Sequence, residues 1–135
     1  MTEFGPPSVL KYTEVPLPKA GKSKVVLRVR ACGVCGFDCR TREGLPGYHT
    51  PPGTILGHEF SGEVVTLGEG VTEFSVGDRV TVVQQGYCGH CEFCMSGRHT
   101  ICPYYHETTY GSETRPGGYA DFVAVDVQSA VKIPP

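Results

Sequence analysis

The sequence predicts a mainly β fold with a single hydrophobic core, short helices and one cysteine-rich lobe. Its 135 residues include 18 glycines and 11 prolines, which interrupt the chain every few residues and leave little room for long helices. Several short segments alternate apolar and polar side chains, with the period of two that is typical of a half-buried strand. A chain of this length can bury one core, and a second full domain does not fit.

The first half of the chain contains two predicted strands and one short helix. Residues 9–15 are predicted as a strand that ends at Pro16, and residues 24–31 as the clearest strand of the chain. The spacing becomes helical for about two turns over residues 36–44. The glycine- and proline-rich segment 45–53 is predicted to be a surface loop.

The second half contains four further predicted strands, with the cysteine-rich segment between the second and the third. Residues 60–67 have β-branched residues and flanking glycines, and residues 79–83 follow a Gly-Asp turn. After the cysteines, residues 119–125 alternate again, and residues 131–133 form a last short strand before two prolines.

The most specific chemical signal is the segment 86–103, where four cysteines are separated by two, two and seven residues: Cys88, Cys91, Cys94 and Cys102. Two-residue gaps let the backbone curl round a metal ion and present both sulfurs to it, so this spacing indicates a structural zinc site. An iron–sulfur site is the main alternative, but a ferredoxin run has a last gap of three residues. Disulfides are a poorer interpretation, because closely spaced cysteines pair badly within one small loop.

A second candidate site combines Cys35 and Asp38 with the neighbouring pair His58 and Glu59. Together they offer a thiolate, an imidazole and carboxylates, the donor set of open, catalytic zinc sites. Asp38 is predicted to accept a hydrogen bond from the ligand histidine and so fix its tautomer. Each residue alone would be unremarkable.

These motifs together resemble the zinc-containing alcohol dehydrogenase family, the medium-chain dehydrogenases. The resemblance implies a GroES-like fold, a partly open β-barrel, and oxidation of an alcohol with NAD or NADP. It implies that Cys35 and His58 are ligands of a catalytic zinc ion, that Glu59 lies beside the metal or ligates it, and that Asp38 supports the histidine. The motifs that carry it are Gly33-Val34-Cys35-Gly36-x-Asp38, Gly57-His58-Glu59-x-x-Gly62, Gly77-Asp78-Arg79-Val80 and the four-cysteine spacing.

The sequence departs from this family in lacking a Gly-x-Gly-x-x-Gly fingerprint after any predicted strand. We therefore expect residues 1–135 to be an incomplete catalytic domain that lacks the Rossmann cofactor domain and is inactive as an isolated chain. The resemblance also implies a third catalytic-zinc ligand, a cysteine or an acid, that members place further on. The alternative function is a non-catalytic, zinc-stabilised structural or binding module. We also expect self-association into homo-oligomers, because the segments expected to be missing would have covered apolar surface.

A further departure is Phe37, which stands where many members have the Ser or Thr that passes a proton toward solvent, and Arg40 stands where some have the relay histidine. Phe37 either reroutes the proton or narrows the pocket toward small or flat substrates. By resemblance, Tyr48, His49 and Gln84 face the same cleft. The remaining histidines and cysteines are not predicted to be ligands: His90, His99, His106, Cys32 and Cys39.

The expected partners are small alcohol or carbonyl substrates. Nucleic acid is not expected, because the basic residues of the N-terminal third occur singly and without interleaved aromatic residues. A membrane is not expected either, because no apolar run approaches the about 20 residues that cross a bilayer. Without a recognisable signal peptide, the cytoplasm is the expected compartment.

Overall fold

A computed structural model of the protein describes residues 1–48 and 50–134. Its centre is a five-stranded antiparallel sheet in which the strands are ordered β4-β1-β2-β3-β5. The strands are β1 (Lys24–Cys32), β2 (Phe60–Leu67), β3 (Arg79–Val82), β4 (Phe122–Asp126) and β5 (Ala130–Lys132). The α-helices are α1 (Gly36–Glu43), α2 (Glu92–Met95) and α3 (Tyr105–Thr108), and short 3-10 turns cover Pro7–Val9, His99–Ile101 and Val127–Ser129.

The sheet curls into a partly open barrel. Strands β4 and β5 lie at opposite edges, which would be about 19 Å apart in a flat sheet of this order. The connection between them is the single 3-10 turn Val127–Ser129, which rises only about 2 Å per residue. Register shifts in the β1–β2 pairing at Val26/Leu27 and Val29/Ala31 provide local bends. The predicted mainly β, partly open barrel is confirmed.

The core fills the inside of the curl. Its fully buried side chains include Val25, Leu27, Val64, Val80 and Val125, one or two from each of four strands. Burial alternates along β2, β3 and β4, as the period-two pattern predicted. In β1 the alternation is interrupted, because the register shift places Val26 and Leu27 next to each other as buried residues.

The predicted strand over residues 9–15 is wrong. The chain forms a 3-10 turn at Pro7–Val9 and then continues without strand pairing in the described residues up to β1. Val9 is buried, but Tyr12 is 92% exposed and Val15 is also exposed, so the alternating pattern has no sheet to pack on. A strand needs a paired neighbour to be stable, and the local sequence cannot supply one.

The other predicted elements agree closely with the structure. The helix over residues 36–44 is confirmed as α1, and Gly44 ends it with a left-handed φ of 71°. β2 has the predicted bounds, and β3 ends one residue early. β4 begins later than predicted because Tyr119 donates its backbone N–H to Leu56 instead of joining the ladder. None of the helices in the described part of the chain is long and apolar enough to span a bilayer.

Candidate metal centres

The four predicted lobe cysteines converge in the structure. Their sulfur atoms all lie within 4.8 Å of one another. Cys88 and Cys91 lie in the turn that leads into α2, and Cys94 lies within this helix, where Cys91 caps the helix and accepts the Cys94 N–H at 3.5 Å. Cys102 follows the 3-10 turn His99–Ile101 and is almost fully buried. The lobe therefore presents four sulfurs to one point.

The sulfur spacing fits a tetrahedral ion. The Cys88 and Cys94 sulfurs are 3.9 Å apart, and those of Cys91 and Cys102 are 4.0 Å apart. Four sulfurs at zinc–sulfur bond lengths would lie about 3.8 Å apart. Backbone N–H groups also point at the sulfurs, as from Cys91 to Cys88 at 3.4 Å and from Cys88 to Cys102 at 3.4 Å. These donors favour the thiolate form that a metal requires.

The pKa values of two lobe thiols, Cys88 and Cys94, are shifted in opposite directions. Loss of hydration would raise the pKa of Cys88, but N–H groups of His90 and Cys91 and the neighbouring thiols together lower it to about 6. Loss of hydration raises the pKa of Cys94 to about 12, and the surrounding thiols add to the effect. Four adjacent thiolates repel one another, and a bound cation removes that repulsion. The lobe thus has the donor set and the spacing of a closed zinc site.

The lobe histidines are exposed and lie outside the sulfur cluster, as predicted. The ring of His99 stacks on Tyr87 with 4.0 Å between ring centres. The Nδ1 of His90 lies 3.0 Å from the carbonyl of Cys88. With four sulfurs already converging, neither imidazole is needed to complete a tetrahedron.

The second predicted cluster also forms. Ligand atoms of Cys35, His58 and Glu59 lie within 4.8 Å of one another. Cys35 is the residue that caps α1, while His58 and Glu59 immediately precede β2. His58 is only 7% exposed and Glu59 is exposed. One thiol, one imidazole and one carboxylate leave a tetrahedral ion with a fourth, open position, which is the composition of a catalytic rather than a structural zinc site.

The buried Asp38 carboxylate accepts hydrogen bonds from the segments that form this second cluster. It is 5% exposed, and its Oδ2 accepts hydrogen bonds from the backbone of Cys35 at 3.0 Å and from the Tyr119 hydroxyl at 3.2 Å. Its Oδ1 accepts from the backbone of Gly57 at 3.2 Å and lies 3.5 Å from His58 Nδ1. One carboxylate therefore holds the loops that carry both predicted ligands.

These contacts shift the pKa values of Asp38 and His58 in opposite directions. Burial would raise the pKa of Asp38, but the hydrogen bonds from His58 and from the backbone of Cys35 and Gly57 lower it below its usual value. The bond to Asp38 raises the pKa of His58 to about 9 against the opposing effect of burial. Because Nδ1 faces Asp38, Nε2 is the nitrogen left for a metal. Asp38 therefore lies where it was predicted to support the histidine.

Gly57 and Tyr119 complete the arrangement, and no sequence pattern identified Tyr119 as a residue of this site. Gly57 has a φ of +90°, and a Cβ there would lie 2.6 Å from the Tyr119 ring and 2.8 Å from the Cys32 sulfur. Burial, and then the nearby Asp38 carboxylate, raises the pKa of Tyr119. Tyr119 and Asp38 are 81 residues apart in the chain, so only folding brings them together.

A cleft of about 520 Å³ opens beside the second cluster. Cys35 and His58 line it, together with Phe37 and, as predicted, Gln84. Glu59 lies on the other side of His58, where a second hollow of about 390 Å³ is found. Much of the first cleft's wall comes from the segment 105–114, which sequence reasoning did not identify as part of a site; His106, predicted to lie in a polar loop, belongs to α3 there.

A polar network attaches this wall to the barrel. Buried Tyr110 accepts the Asp126 backbone N–H at 2.9 Å, and Arg115 forms an ion pair with the Asp126 carboxylate. Lys24 also pairs with Asp126 at 2.7 Å. Burial would raise the pKa of Asp126, but the hydrogen bond from Lys24 and the charge of Arg115 lower it below its usual value. The wall is thereby held against β1 and β4.

The remaining predicted cleft residues are arranged round Phe37. Its ring lies edge-on to His58, with ring centres 5.5 Å apart, and packs at 5.0 Å against Tyr48. The Tyr48 hydroxyl accepts a hydrogen bond from Arg40 at 3.1 Å. Tyr48, predicted to face the cleft, is not among its lining residues and contacts Phe37 instead. His49, predicted to face the cleft, lies outside the described residues.

The two other cysteines of the N-terminal half are outside both clusters. Cys32 packs against the barrel core, and burial, with Asp38 nearby, raises its pKa to about 11. Cys39 is exposed on α1. The prediction that neither is a ligand agrees with this arrangement.

Comparison with known proteins identifies the family to which this chain is similar. Residues 21–135 match the family described as the alcohol dehydrogenase GroES-like domain. The sorbitol dehydrogenase of Halalkalibacterium halodurans is 43% identical over 122 residues, which are 90% of this chain and 34% of that protein. The chain therefore spans about a third of the length of this curated relative.

Solved structures give the same result for the fold. A crystal structure of an NAD-dependent alcohol dehydrogenase superposes with a TM-score of 0.89 at 32% identity, covering 98% of this chain and 38% of that one. A cobalt- and zinc-bound thermostable alcohol dehydrogenase from Pyrobaculum aerophilum gives 0.83 at 35% identity, covering 97% of this chain and 40% of that one. The expected GroES-like fold is confirmed.

Proposed function

The chain belongs to the alcohol dehydrogenase GroES-like domain family, and from this premise we propose that it is the zinc-binding, substrate-side part of an NAD- or NADP-dependent alcohol dehydrogenase. The observation that supports this most directly is the convergence of Cys35, His58 and Glu59, two of which, Cys35 and His58, also line the cleft. Relatives that match the chain are oxidoreductases named for sorbitol, L-threonine and alcohols. The substrate we propose is accordingly a small alcohol or the corresponding carbonyl compound.

The two proposed zinc sites have different tasks. Cys88, Cys91, Cys94 and Cys102 would hold one ion with all four tetrahedral positions filled by protein, so this ion can only stabilise the lobe. Cys35, His58 and Glu59 would hold the other, with one position left for substrate. When bound there, zinc supplies Lewis acidity that polarises the substrate oxygen, and the nicotinamide supplies the hydride acceptor.

The protein's own residues prepare this site. Asp38 accepts from the Nδ1 side of His58 and so keeps Nε2 directed away from itself and available as a ligand atom. The Cys35 sulfur accepts the Phe37 N–H at 3.5 Å, which orients the sulfur at the start of α1. Phe37 packs edge-to-face against the His58 ring and covers one side of it. Since Phe37 has no exchangeable proton, a proton leaving the substrate must take another route.

Metal content is the direct test of the two sites. We expect two zinc ions per chain, one after Cys35→Ser, and two after Cys39→Ser, which changes an exposed cysteine of the same helix. Zinc measured by atomic emission after gel filtration gives these numbers. Iron in the lobe, with its visible charge-transfer absorption, would contradict the zinc assignment.

Activity tests the enzymatic part of the proposal. None of the described residues forms a Gly-x-Gly-x-x-Gly turn between a strand and a helix, so we propose that the nucleotide is bound by residues other than these 135. We expect no turnover with NAD or NADP from the 135 residues alone. A chimera in which they replace the matching third of the H. halodurans sorbitol dehydrogenase should reduce a nucleotide in the presence of an alcohol. Turnover by the 135 residues alone would contradict the proposal.

A second candidate function is a zinc-stabilised binding module without turnover. The closed geometry of the four-cysteine lobe favours it, because such a site needs no cofactor or substrate to be useful. It predicts one zinc ion per chain, in the lobe, and no metal at Cys35 and His58. The metal measurement therefore separates the two candidates.

A further inference from the structure

Phe37 is an exposed aromatic side chain that lines the cleft next to the second cluster. It is 41% exposed and lines the cleft, while its ring edge contacts His58. It lies two residues after Cys35, at the start of α1. A substrate oxygen held near Cys35 and His58 therefore places the group on its carbon next to the Phe37 ring.

The Phe37 ring is held in place from behind. Tyr48 packs on it at 5.0 Å with the rings tilted by 60°. Arg40 in turn donates to the Tyr48 hydroxyl at 3.1 Å and places its guanidinium 6.0 Å from the centre of the Tyr48 ring. A ring fixed by such neighbours loses little rotational freedom on binding and presents a defined surface.

Aromatic rings provide the apolar side-chain surface of the cleft. No Val, Leu, Ile or Met occurs among its lining residues in the part of the chain that the structure describes. The exposed large apolar groups are instead the rings of Phe37 and Tyr105. Aromatic rings prefer other rings in edge-to-face or offset arrangements over aliphatic groups of similar area.

Four of the polar side chains that line the cleft form hydrogen bonds within the protein. The hydroxyls of Thr109, Ser112 and Thr114 each lie within 2.9 Å of a backbone carbonyl of their own segment. The Gln85 amide lies 3.2 Å from the Thr100 carbonyl. These donors hold the wall segment together, so a polyhydroxylated substrate would have to compete for them.

We propose that Phe37 selects substrates that carry an aromatic ring on the carbon bearing the reacting hydroxyl or carbonyl group. This inference rests on the proposed function, because it takes the cleft as the substrate site. Aryl alcohols such as benzyl alcohol are the substrate class that it names. Phe37 acts by contact with that ring, in addition to shielding His58.

Binding of three matched probes tests the proposal without requiring turnover. Dissociation constants for benzyl alcohol, cyclohexylmethanol and sorbitol are measured by NMR titration of the zinc-loaded chain. Benzyl alcohol and cyclohexylmethanol are similar in size, but only the first has a flat ring. We expect benzyl alcohol to bind about 2- to 12-fold more tightly than cyclohexylmethanol, as a ring–ring contact provides, and sorbitol to bind most weakly.

Two variants test whether Phe37 is the residue that causes the preference for benzyl alcohol. Phe37→Leu keeps an apolar side chain but removes the ring, and should make the two cyclic alcohols bind equally. Phe4→Leu changes another exposed phenylalanine, which does not line the cleft, and should leave the preference unchanged. Heteronuclear correlation spectra of each variant verify that the barrel is folded.

The outcomes separate this inference from the proposed function. Equal binding of the two cyclic alcohols by the unchanged protein, no binding of benzyl alcohol, tightest binding of sorbitol, or a preference that survives Phe37→Leu would each overturn the role of Phe37. One zinc ion per chain instead of two would contradict the proposed function. In that case the ratio of the two dissociation constants is still measured, and it still decides whether Phe37 recognises a ring.

Discussion

Replacing Asp38 should affect the stability of the barrel as well as the second cluster. Asp38→Ala leaves the backbone N–H of Gly57 buried without its acceptor, and removes the acceptors of the Cys35 N–H and the Tyr119 hydroxyl. An unsatisfied buried donor costs about 1–3 kcal/mol, and each partly exposed bond contributes about 1 kcal/mol. We therefore expect a loss of about 3–5 kcal/mol in the free energy of unfolding.

Urea unfolding at a fixed free zinc concentration measures this loss, with zinc content measured in parallel. Tyr119→Phe removes one of the same hydrogen bonds and should cost only about 1 kcal/mol. Asp121→Ala changes an exposed aspartate beside the barrel and serves as the matched control. We also expect Asp38→Ala to lose the second zinc ion while keeping the lobe ion. A loss below about 1 kcal/mol, or one equal to that of Tyr119→Phe, would refute the view that Asp38 holds the two loops together.

Three further predictions follow from local geometry. Gly57→Ala should destabilise the protein by more than about 3 kcal/mol, because the new Cβ overlaps neighbouring atoms and the backbone φ is unfavourable for alanine. Gly53 has a similar φ of +94° but open space around it, so Gly53→Ala should cost only about 1 kcal/mol. Urea unfolding measures both values. The depressed pKa of Asp126 means that its contribution is full above its unfolded value of about 4 and is lost as the pH falls through the folded value. The difference in unfolding free energy between the unchanged protein and Asp126→Asn should therefore shrink below about pH 4, and a constant difference would contradict this. Cys102→Ser should release the lobe zinc and broaden the amide signals of the lobe in NMR spectra, while the β1 and β2 signals persist; loss of the whole spectrum would show that the barrel depends on the lobe.

The local pattern of residues was sufficient for much of the fold. Alternation and punctuation by glycine predicted β2 to the residue, and the Gly44 stop predicted the end of α1. The same reasoning was wrong for residues 9–15, which have the composition of a strand but no neighbour to pair with. Strand propensity is a property of a single segment, whereas a stable strand also needs a neighbouring strand to pair with.

The candidate metal residues could also be identified from the sequence, because ligand chemistry restricts them to few residue types at short spacings. Cys88, Cys91 and Cys94 form their cluster through turns that such spacings determine. The pairing of Cys35 with His58 came from a resemblance, since 22 intervening residues contain no spacing rule. The structure brings both sets together, and the identity of the metal stays a prediction.

By itself, then, the sequence determined the fold class, most strand positions and the four candidate ligands of the lobe, because each depends on side-chain type and local spacing. Cys35 and His58 were proposed from their donor types and from the family resemblance. Only the tertiary structure decided that Tyr119 and Gly57 both donate to Asp38, that the segment 105–114 walls the cleft, and that Tyr48 supports Phe37. These contacts join residues that are up to 81 positions apart. They arise from the curling of the sheet, and no local pattern records which distant side chains that curling makes neighbours.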